Sequence, residues 1–336
     1  MIKEAIAKLI EKNDLTKNEA EAIINQIMHG EATPTQIGAF LTALRIKGET
    51  VDEIAGSARA MRTNAIKVTT NQKLLLDTCG TGGDGTGTFN ISTVASLIVA
   101  GTGLAIAKHG NRSVSSRCGS ADLLETLGVK IDLGPTEVAR CIDEVGIGFL
   151  FAPRFHPAMK YAAEPRREMG IRTIFNLLGP LTNPASTSVQ LIGVYAPELT
   201  ETLAQVLDSL GIHQALVVHG GGLDELSTTA TNRISQLIDG QITTYYLDPN
   251  ELGLPLACLD ELKGGTPQEN AKIALHLLHG EAGAKRDITL LNAAAALVAA
   301  GKAKDFKAGM AIAAESVDSG HALKKLEQFI HLSNAL

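Results

Sequence analysis

Five glycines fall within eight residues, Gly80, Gly82, Gly83, Gly85 and Gly87, between the short apolar run Lys73–Asp77 and the helix-spaced apolar run Asn90–Ala100. Glycine loses more conformational freedom on folding than any other residue, so this concentration is expensive unless the backbone itself has a task there. A strand, a glycine-rich turn and a helix start together let main-chain N–H groups converge on an anion, and the helix dipole adds positive potential at the same point. The segment therefore predicts a phosphate-binding turn, with Asn90, Ser92 and Thr93 adding polar groups at the helix start. The glycine excess is local: the chain holds 33 in 336 residues, yet residues 1–76 carry four and residues 79–128 carry ten.

Gly80-Thr-Gly82-Gly-Asp-Gly85 also matches the dinucleotide pattern G-x-G-x-x-G. Two features oppose that reading. Gly85 stands too far before the helix to pack helix against strand, and the next strand ends in Ala107-Lys108-His109 where a ribose-binding acid is required. A P-loop is excluded because no G-K-[ST] follows. The stretch Lys108–Ser116 supplies two fixed cations, His109, Asn111 and three hydroxyls. As a loop at a second strand end it is expected to meet the glycine turn, since ligands of open α/β sheets bind beyond the carboxyl ends of strands.

Residues 1–72 read as four short helices. Thr16–Glu19, Thr33–Gln36 and Thr50–Glu53 are capping boxes, and Gly30 stops the second helix. So small a unit is expected to share its core with another part of the chain or a second subunit. From residue 73 strands and helices alternate, which implies a mainly parallel sheet covered by helices. Asp239-Gly240 between Arg233–Ile238 and Gln241–Leu247 signals a hairpin, and helices dominate after Thr266. Asn176–Pro184 reads as a rigid, proline-bounded turn, either hinge or site wall. The expected fold is α/β: a small all-helical N-terminal domain (1–72, joined by helices from about 160–184) and a large α/β domain (73–336) with a mainly parallel central sheet flanked by helices.

Composition narrows the partners. A net charge of −6, from 30 Lys+Arg against 36 Asp+Glu, opposes a large basic footprint for nucleic acid or anionic membrane. Aromatics are 4% and Trp is absent, so no stacking platform for bases is expected. The four cysteines form no C-x-x-C pair, no stretch reaches the length of a membrane span, and the start lacks a signal-peptide core. A cytoplasmic setting is expected.

In combination the motifs resemble the anthranilate phosphoribosyltransferases. The matching stretches are Gly80–Asp84, Asn90–Thr93, Lys108–Arg112, Ser115-Ser116, Gly119–Asp122, Thr173–Pro184 and Asp224-Glu225. The resemblance covers nearly the whole chain. It implies transfer of the phosphoribosyl group of PRPP to the amine of anthranilate, with release of pyrophosphate, in tryptophan biosynthesis. It further implies that Gly80, Gly83, Asp84, Thr88, Asn90, Ile91, Ser92, Thr93, Lys108, Asn111, Arg112, Ser115, Ser116 and Ser120 line the PRPP site. Gly80, Asn111 and Arg166 would address anthranilate, and Ser92, Asp224 and Glu225 would hold Mg²⁺. Lys108 and His109 would be the catalytic pair, Lys108 stabilising the leaving pyrophosphate and His109 orienting a substrate or taking a proton late. A homodimer through the helical part is implied. With no amidotransferase segment in the sequence, coupling to anthranilate synthase is expected through a separate chain.

Residue chemistry is consistent with this. PRPP needs many donors and a hard cation, and Mg²⁺ favours one or two carboxylates with substrate oxygens. Arg166 can pair bidentately with a carboxylate, although Pro165 inside its helix puts its aim in question. Two rivals remain at this stage: a pyrimidine nucleoside phosphorylase, which shares the Lys-His-Gly loop, and a non-enzymatic relative that binds nucleic acid.

Overall fold

The computed structural model describes residues 1–113 and 117–336. Four helices come first: α1 (Ile2–Ile10), α2 (Lys17–Met28), α3 (Pro34–Lys47) and α4 (Val51–Asn64). All three capping boxes form, each threonine accepting from the N–H three residues on while that residue's side chain accepts in return. Glu53 does more than cap. Fully buried, its carboxylate also accepts from Leu15 N–H at 2.9 Å and pairs with Lys47 Nζ at 2.9 Å, tying the α1–α2 link to the start of α4.

The alternating part runs β1 (Leu75–Thr78), α5 (Ile91–Gly101), β2 (Ala105–Gly110), α6 (Ser120–Thr126), α7 (Pro135–Arg140), β3 (Ile147–Phe151), α8 (Ala152–Phe155), α9 (Lys160–Met169), α10 (Phe175–Leu181), β4 (Val189–Gly193), α11 (Leu199–Ser209) and β5 (Gln214–Gly220). The hairpin β6 (Asn232–Ile238) and β7 (Gln241–Leu247) follows, then α12 (Pro267–Leu278), α13 (Ala284–Ala299), α14 (Phe306–Asp318) and α15 (His321–Ala335). Asp239 and Gly240 both have positive φ, 45° and 82°, as a two-residue hairpin of matching twist requires.

Among the described residues the strands make one seven-stranded sheet in the order β3-β2-β1-β4-β5-β6-β7. The first five are parallel and the last two antiparallel. β1 and β4 are buried throughout, as strands covered on both faces must be. Chain order runs outward from β1 in one direction and from β4 in the other, so the topological switch lies between them. Open α/β sheets leave their ligand crevice there, and the glycine turn leaves β1 at that point.

Two cores flank the sheet. One packs α5, α13, α14 and α15 against β1–β3. The other joins α1–α4 to Ala162 of α9, to Phe175, Leu178 and Leu181 of α10, and to Leu203 and Leu207 of α11. Asn176–Pro184 is thus not a turn. Its larger part belongs to α10, with Pro180 inside the helix, because Phe175, Leu178 and Leu181 recur at helical spacing and need that core. No described helix is long and apolar enough to cross a membrane.

Candidate active site

The glycine turn bends through left-handed backbone at Gly82 and Gly83, φ 67° and 78°, a region that side chains with a Cβ avoid. Its near end is tied to the strand beside it, Thr81 N–H donating to Gly193 O at 2.9 Å. Its far end is pinned to 262–264: Phe89 N–H donates to Leu262 O, Gly264 N–H to Gly87 O, and Thr88 bridges Lys263.

The acidic pair meets this turn from β5. Asp224 Oδ2 accepts from Gly82 N–H at 2.6 Å, and Glu225 Oε1 accepts from Ser92 N–H at 3.1 Å at the start of α5. The two adjacent carboxylates therefore occupy the very donors that a glycine turn and a helix N-terminus offer to an anion. Asp84 lies beside Asp224, and its own carboxylate accepts from Thr86 N–H and Oγ1. Burial, then repulsion from Glu225 and Asp84, holds Asp224 well above the usual carboxylate range; burial raises Glu225 to about 7 against the pull of Lys108. Two crowded carboxylates penalised by burial, with that of Asp84 beside them, form a hard oxygen set that a divalent cation would relieve, so the residues present fit Mg²⁺.

Close approach here depends on glycine. A Cβ on Gly80 would lie 2.5 Å from Asp224 Oδ2, and one on Gly193 would lie 1.6 Å from Asp224 O. Asn292 of α13 holds the same turn, its amide accepting from Leu226 N–H at 2.9 Å and donating to Leu226 O at 2.8 Å. Sequence reading missed both Gly193 and Asn292. Each left a signal: a glycine ending an apolar strand marks a close backbone approach, and a lone asparagine stands just before a run of alanines inside a buried helix.

β2 does not stop at Lys108 but continues to Gly110, so Lys108 and His109 are strand residues on opposite faces. Lys108 faces the site. Its ammonium donates to Thr78 O at 2.7 Å and stands 3.5 Å from Ser92 Oγ. His109 faces the other side, buried, with Nδ1–H on Gly179 O at 3.1 Å and its ring 5.1 Å from that of His156. Burial lowers His109 to about 3 and His156 to about 4. The expected convergence of Lys108 and His109 in one loop is thereby corrected: strand alternation separates them, and a neutral, buried imidazole is a poor proton acceptor.

This pair sets a pH dependence. Both histidines bind protons more weakly folded than unfolded, so their contribution to stability is complete above about pH 6.5 and is lost as pH falls towards 4. The loss reaches about 1.4 kcal/mol per pH unit for each histidine. Urea unfolding between pH 7 and 4.5 should show a shallower fall for His156→Gln than for the parent; parallel curves would contradict it.

Arg112 is not a free cation. Its guanidinium pairs bidentately with Glu125, at 2.7 and 3.0 Å, and with Asp122 at 2.9 Å, and lies over Phe151. Of the two fixed cations expected from Lys108–Ser116, Arg112 is thus given to neighbouring acids. At the start of α6 the Gly119 N–H is also taken, Asp122 Oδ2 accepting from it and from Ser113 N–H. Ser120 Oγ donates to Asn111 O, and Asn111 Oδ1 accepts from Arg112 N–H. The Asn90 side chain donates to Cys118 O and accepts from Asn270, Ile91 N–H donates to Phe89 O, and Thr93 is buried at the head of α5. Ser115 and Ser116 lie outside the described residues.

Arg166 stands half-buried in the last turn of α9, over Phe175 at 5.0 Å, without an ion pair among the described residues. Arg167 is exposed and 3.8 Å from Glu164. The helix continues through Pro165, which faces the core. Asp77, Cys79 and His109 bring ligand-type atoms within 4.8 Å of one another. Both Asp77 oxygens are already taken, by His109 N–H at 3.1 Å and Asn183 Nδ2 at 2.8 Å, and a thiol suits no hard cation.

Comparison with known proteins matches residues 3–65 to the helical bundle domain of a glycosyl transferase family, and residues 72–323 to its a/b domain. The chain is 58% identical to the anthranilate phosphoribosyltransferase of Moorella thermoacetica over 98% of each sequence. It is 52% identical to that of Desulfosudis oleivorans, over 100% of this chain and 99% of the other. Among solved structures, the Thermus thermophilus anthranilate phosphoribosyltransferase superposes with a TM-score of 0.94 at 46% identity, over 98% of this chain and 99% of that one. The Saccharomyces cerevisiae enzyme in complex with PRPP and Mg superposes with a TM-score of 0.92 at 30% identity, over 100% and 98%.

Proposed function

Because the chain belongs to the anthranilate phosphoribosyltransferases of this glycosyl transferase family, we propose that PRPP lies across the Gly80–Thr93 turn, with anthranilate on the side of Arg166. The enzyme is a glycosyltransferase that moves the phosphoribosyl group of PRPP to the amine of anthranilate, in tryptophan formation. The observation that carries the placement is the occupation of two anion donors, Gly82 N–H and Ser92 N–H, by Asp224 and Glu225. Groups that hold a carboxylate in this way can hold a phosphoryl oxygen.

In the reaction the C1–O bond to pyrophosphate breaks, positive charge develops on the ribose, and the anthranilate nitrogen closes the new bond to C1. Asp224 and Glu225, with Ser92 beside them, would hold Mg²⁺, which when bound supplies positive charge to the departing pyrophosphate. Lys108 adds a fixed cation from the other side of Ser92, already oriented by Thr78 O. Such preorganised charge is the largest catalytic contribution available here. Gly80, Gly83, Asp84, Thr88, Asn90, Ile91, Thr93, Asn111 and Ser120 shape the PRPP side; Gly80 and Asn111 also border anthranilate. Thr93, Asn90 and Ile91 do so through the head of α5 that they build, and Arg112 by tying Asn111 to Asp122 and Glu125 of α6. His109 orients α10 through Gly179 O and needs no charge. The aromatic amine is neutral at pH 7, so attack needs no strong base, and its proton leaves to solvent.

Arg166 would pair with the anthranilate carboxylate, since its guanidinium is half-buried and has no acidic partner among the described residues. Arg166→Gln should raise KM for anthranilate roughly ten- to a hundredfold, the loss of one charge-assisted contact. KM for PRPP should stay within about twofold, and Arg167→Gln should leave both constants unchanged. Loss of anthranilate fluorescence with PRPP and Mg²⁺ measures all three. An unchanged anthranilate KM in Arg166→Gln would move the acceptor site elsewhere.

The same reading takes residues 1–72, with helices from about 160–184, as one domain and 73–336 as the other, supported by the core shared among α1–α4, α9 and α10. It takes the enzyme as a cytoplasmic homodimer joined through the helical part, receiving anthranilate from a separate synthase chain. Ile10 of α1 and Ile46 of α3, left 69% and 77% exposed, support the dimer.

A further inference from the structure

We propose that Arg172, stacked on Tyr195, is a positioning residue that holds the glycine turn in its pyrophosphate-receiving form. The proposal rests on the reading of Gly80–Thr93 as the PRPP turn. Arg172 stands between α9 and α10 and makes no ion pair among the described residues. Its guanidinium instead donates to Gly83 O, a main-chain carbonyl at the crown of the turn, and lies 4.5 Å over the ring of Tyr195. Tyr195 follows β4 and is itself tied to the turn, its N–H donating to Thr81 Oγ1 at 3.2 Å, while Thr81 N–H donates to Gly193 O at 2.9 Å. Thr81, Tyr195, Arg172 and Gly83 thus close a ring of contacts around Gly82 and Gly83, the two left-handed residues of the turn's first half.

A run of glycines has many conformations to lose when it closes on a ligand. A guanidinium clamped by an aromatic face removes that freedom before PRPP arrives, and preorganisation of this kind is read out as affinity. The anchor also lies six residues beyond Arg166. One short segment therefore carries the guanidinium assigned to the acceptor and the guanidinium that sets the donor's turn. Sequence gave no local sign of this, because the two partners are far apart along the chain and neither sits in a motif.

The test compares Arg172→Ala, Tyr195→Leu, Tyr195→Phe and the double variant Arg172→Ala/Tyr195→Leu by steady-state kinetics, with thermal melting to verify folding. Arg172→Ala and Tyr195→Leu should each raise KM for PRPP about tenfold, the cost of reordering roughly one residue, with KM for anthranilate unchanged. The double variant should be no worse than Arg172→Ala alone. Tyr195→Phe should restore the parental KM, because the ring and not the hydroxyl is used. Lower melting temperatures with an unmoved KM for PRPP would overturn the proposal by leaving Arg172 a structural contact. An effect of Arg172→Ala that Tyr195→Leu does not reproduce would also overturn it, making Arg172 a direct ligand. Lys108→Gln separates the failures: if it raises KM for PRPP while Arg172→Ala does not, the latch alone is wrong, and if neither does, the PRPP turn itself is misassigned.

Discussion

Replacing Asp224 and Glu225 together by Asn and Gln is expected to lower kcat/KM by about 10³-fold or more, the scale on which loss of preorganised charge stabilisation is felt. The amides are near-isosteric, and their carbonyl oxygens can still accept from Gly82 N–H and Ser92 N–H, so the turn should keep its shape. What disappears is the negative charge that would recruit Mg²⁺. A second readout separates this from damage to the fold. Burial and mutual repulsion penalise the pair in the metal-free protein, so the double variant should unfold at a higher temperature than the parent when Mg²⁺ is absent. It should gain nothing from added Mg²⁺, whereas the parent should be stabilised by it. Turnover near the parental rate with an unchanged Mg²⁺ requirement would remove the pair from the metal site.

Gly193→Ala should cost nearly as much without touching a charged group. The added Cβ would stand 1.6 Å from Asp224 O and 2.4 Å from its carbonyl carbon. These are backbone atoms, and no rotamer change can relieve the contact. The 220–227 turn must shift, and both carboxylates shift with it. We expect kcat/KM to fall by about 10²-fold or more, since small displacements of catalytic groups are felt on that scale. Stability should fall by about 1–3 kcal/mol, the usual cost of overpacking. Gly38→Ala is the matched control: its Cβ would meet only Met169 Sδ at 3.8 Å, inside a helix that favours alanine. Activity of Gly193→Ala equal to that of Gly38→Ala would show that the β4–Asp224 contact does not set the site.

Much of this architecture was legible before any coordinates. The three capping boxes and the Asp239-Gly240 hairpin are satisfied within a few residues of chain, so residue type and spacing suffice to read them. The glycine turn was legible for the same reason, and the adjacent acids Asp224 and Glu225 were legible once a phosphate site was in view. The partners of these groups were not. Lys108 and His109 are neighbours in sequence, yet two further residues of strand put them on opposite faces. Arg112 looks like a phosphate ligand until Glu125 and Asp122 fold next to it. The segment Asn176–Pro184, with two prolines, reads as a turn until its apolar residues find a core to enter.

The sequence by itself determined where anions can be met: a strand, five glycines and a helix start in a row, with an acidic pair and a strand-end lysine elsewhere on the chain. These are short-range properties of backbone conformation and charge, carried by the residues themselves. Only the tertiary structure decided which charges remain available at that place. The parallel sheet sets β4 and the turn after β5 beside β1 and so brings Asp224 and Glu225 onto the glycine turn, α6 draws Arg112 into an ion pair, and the chain beyond α9 and β4 delivers Arg172 and Tyr195 to the turn. Such choices follow from strand register and packing between residues tens to more than a hundred positions apart, and no local pattern records them.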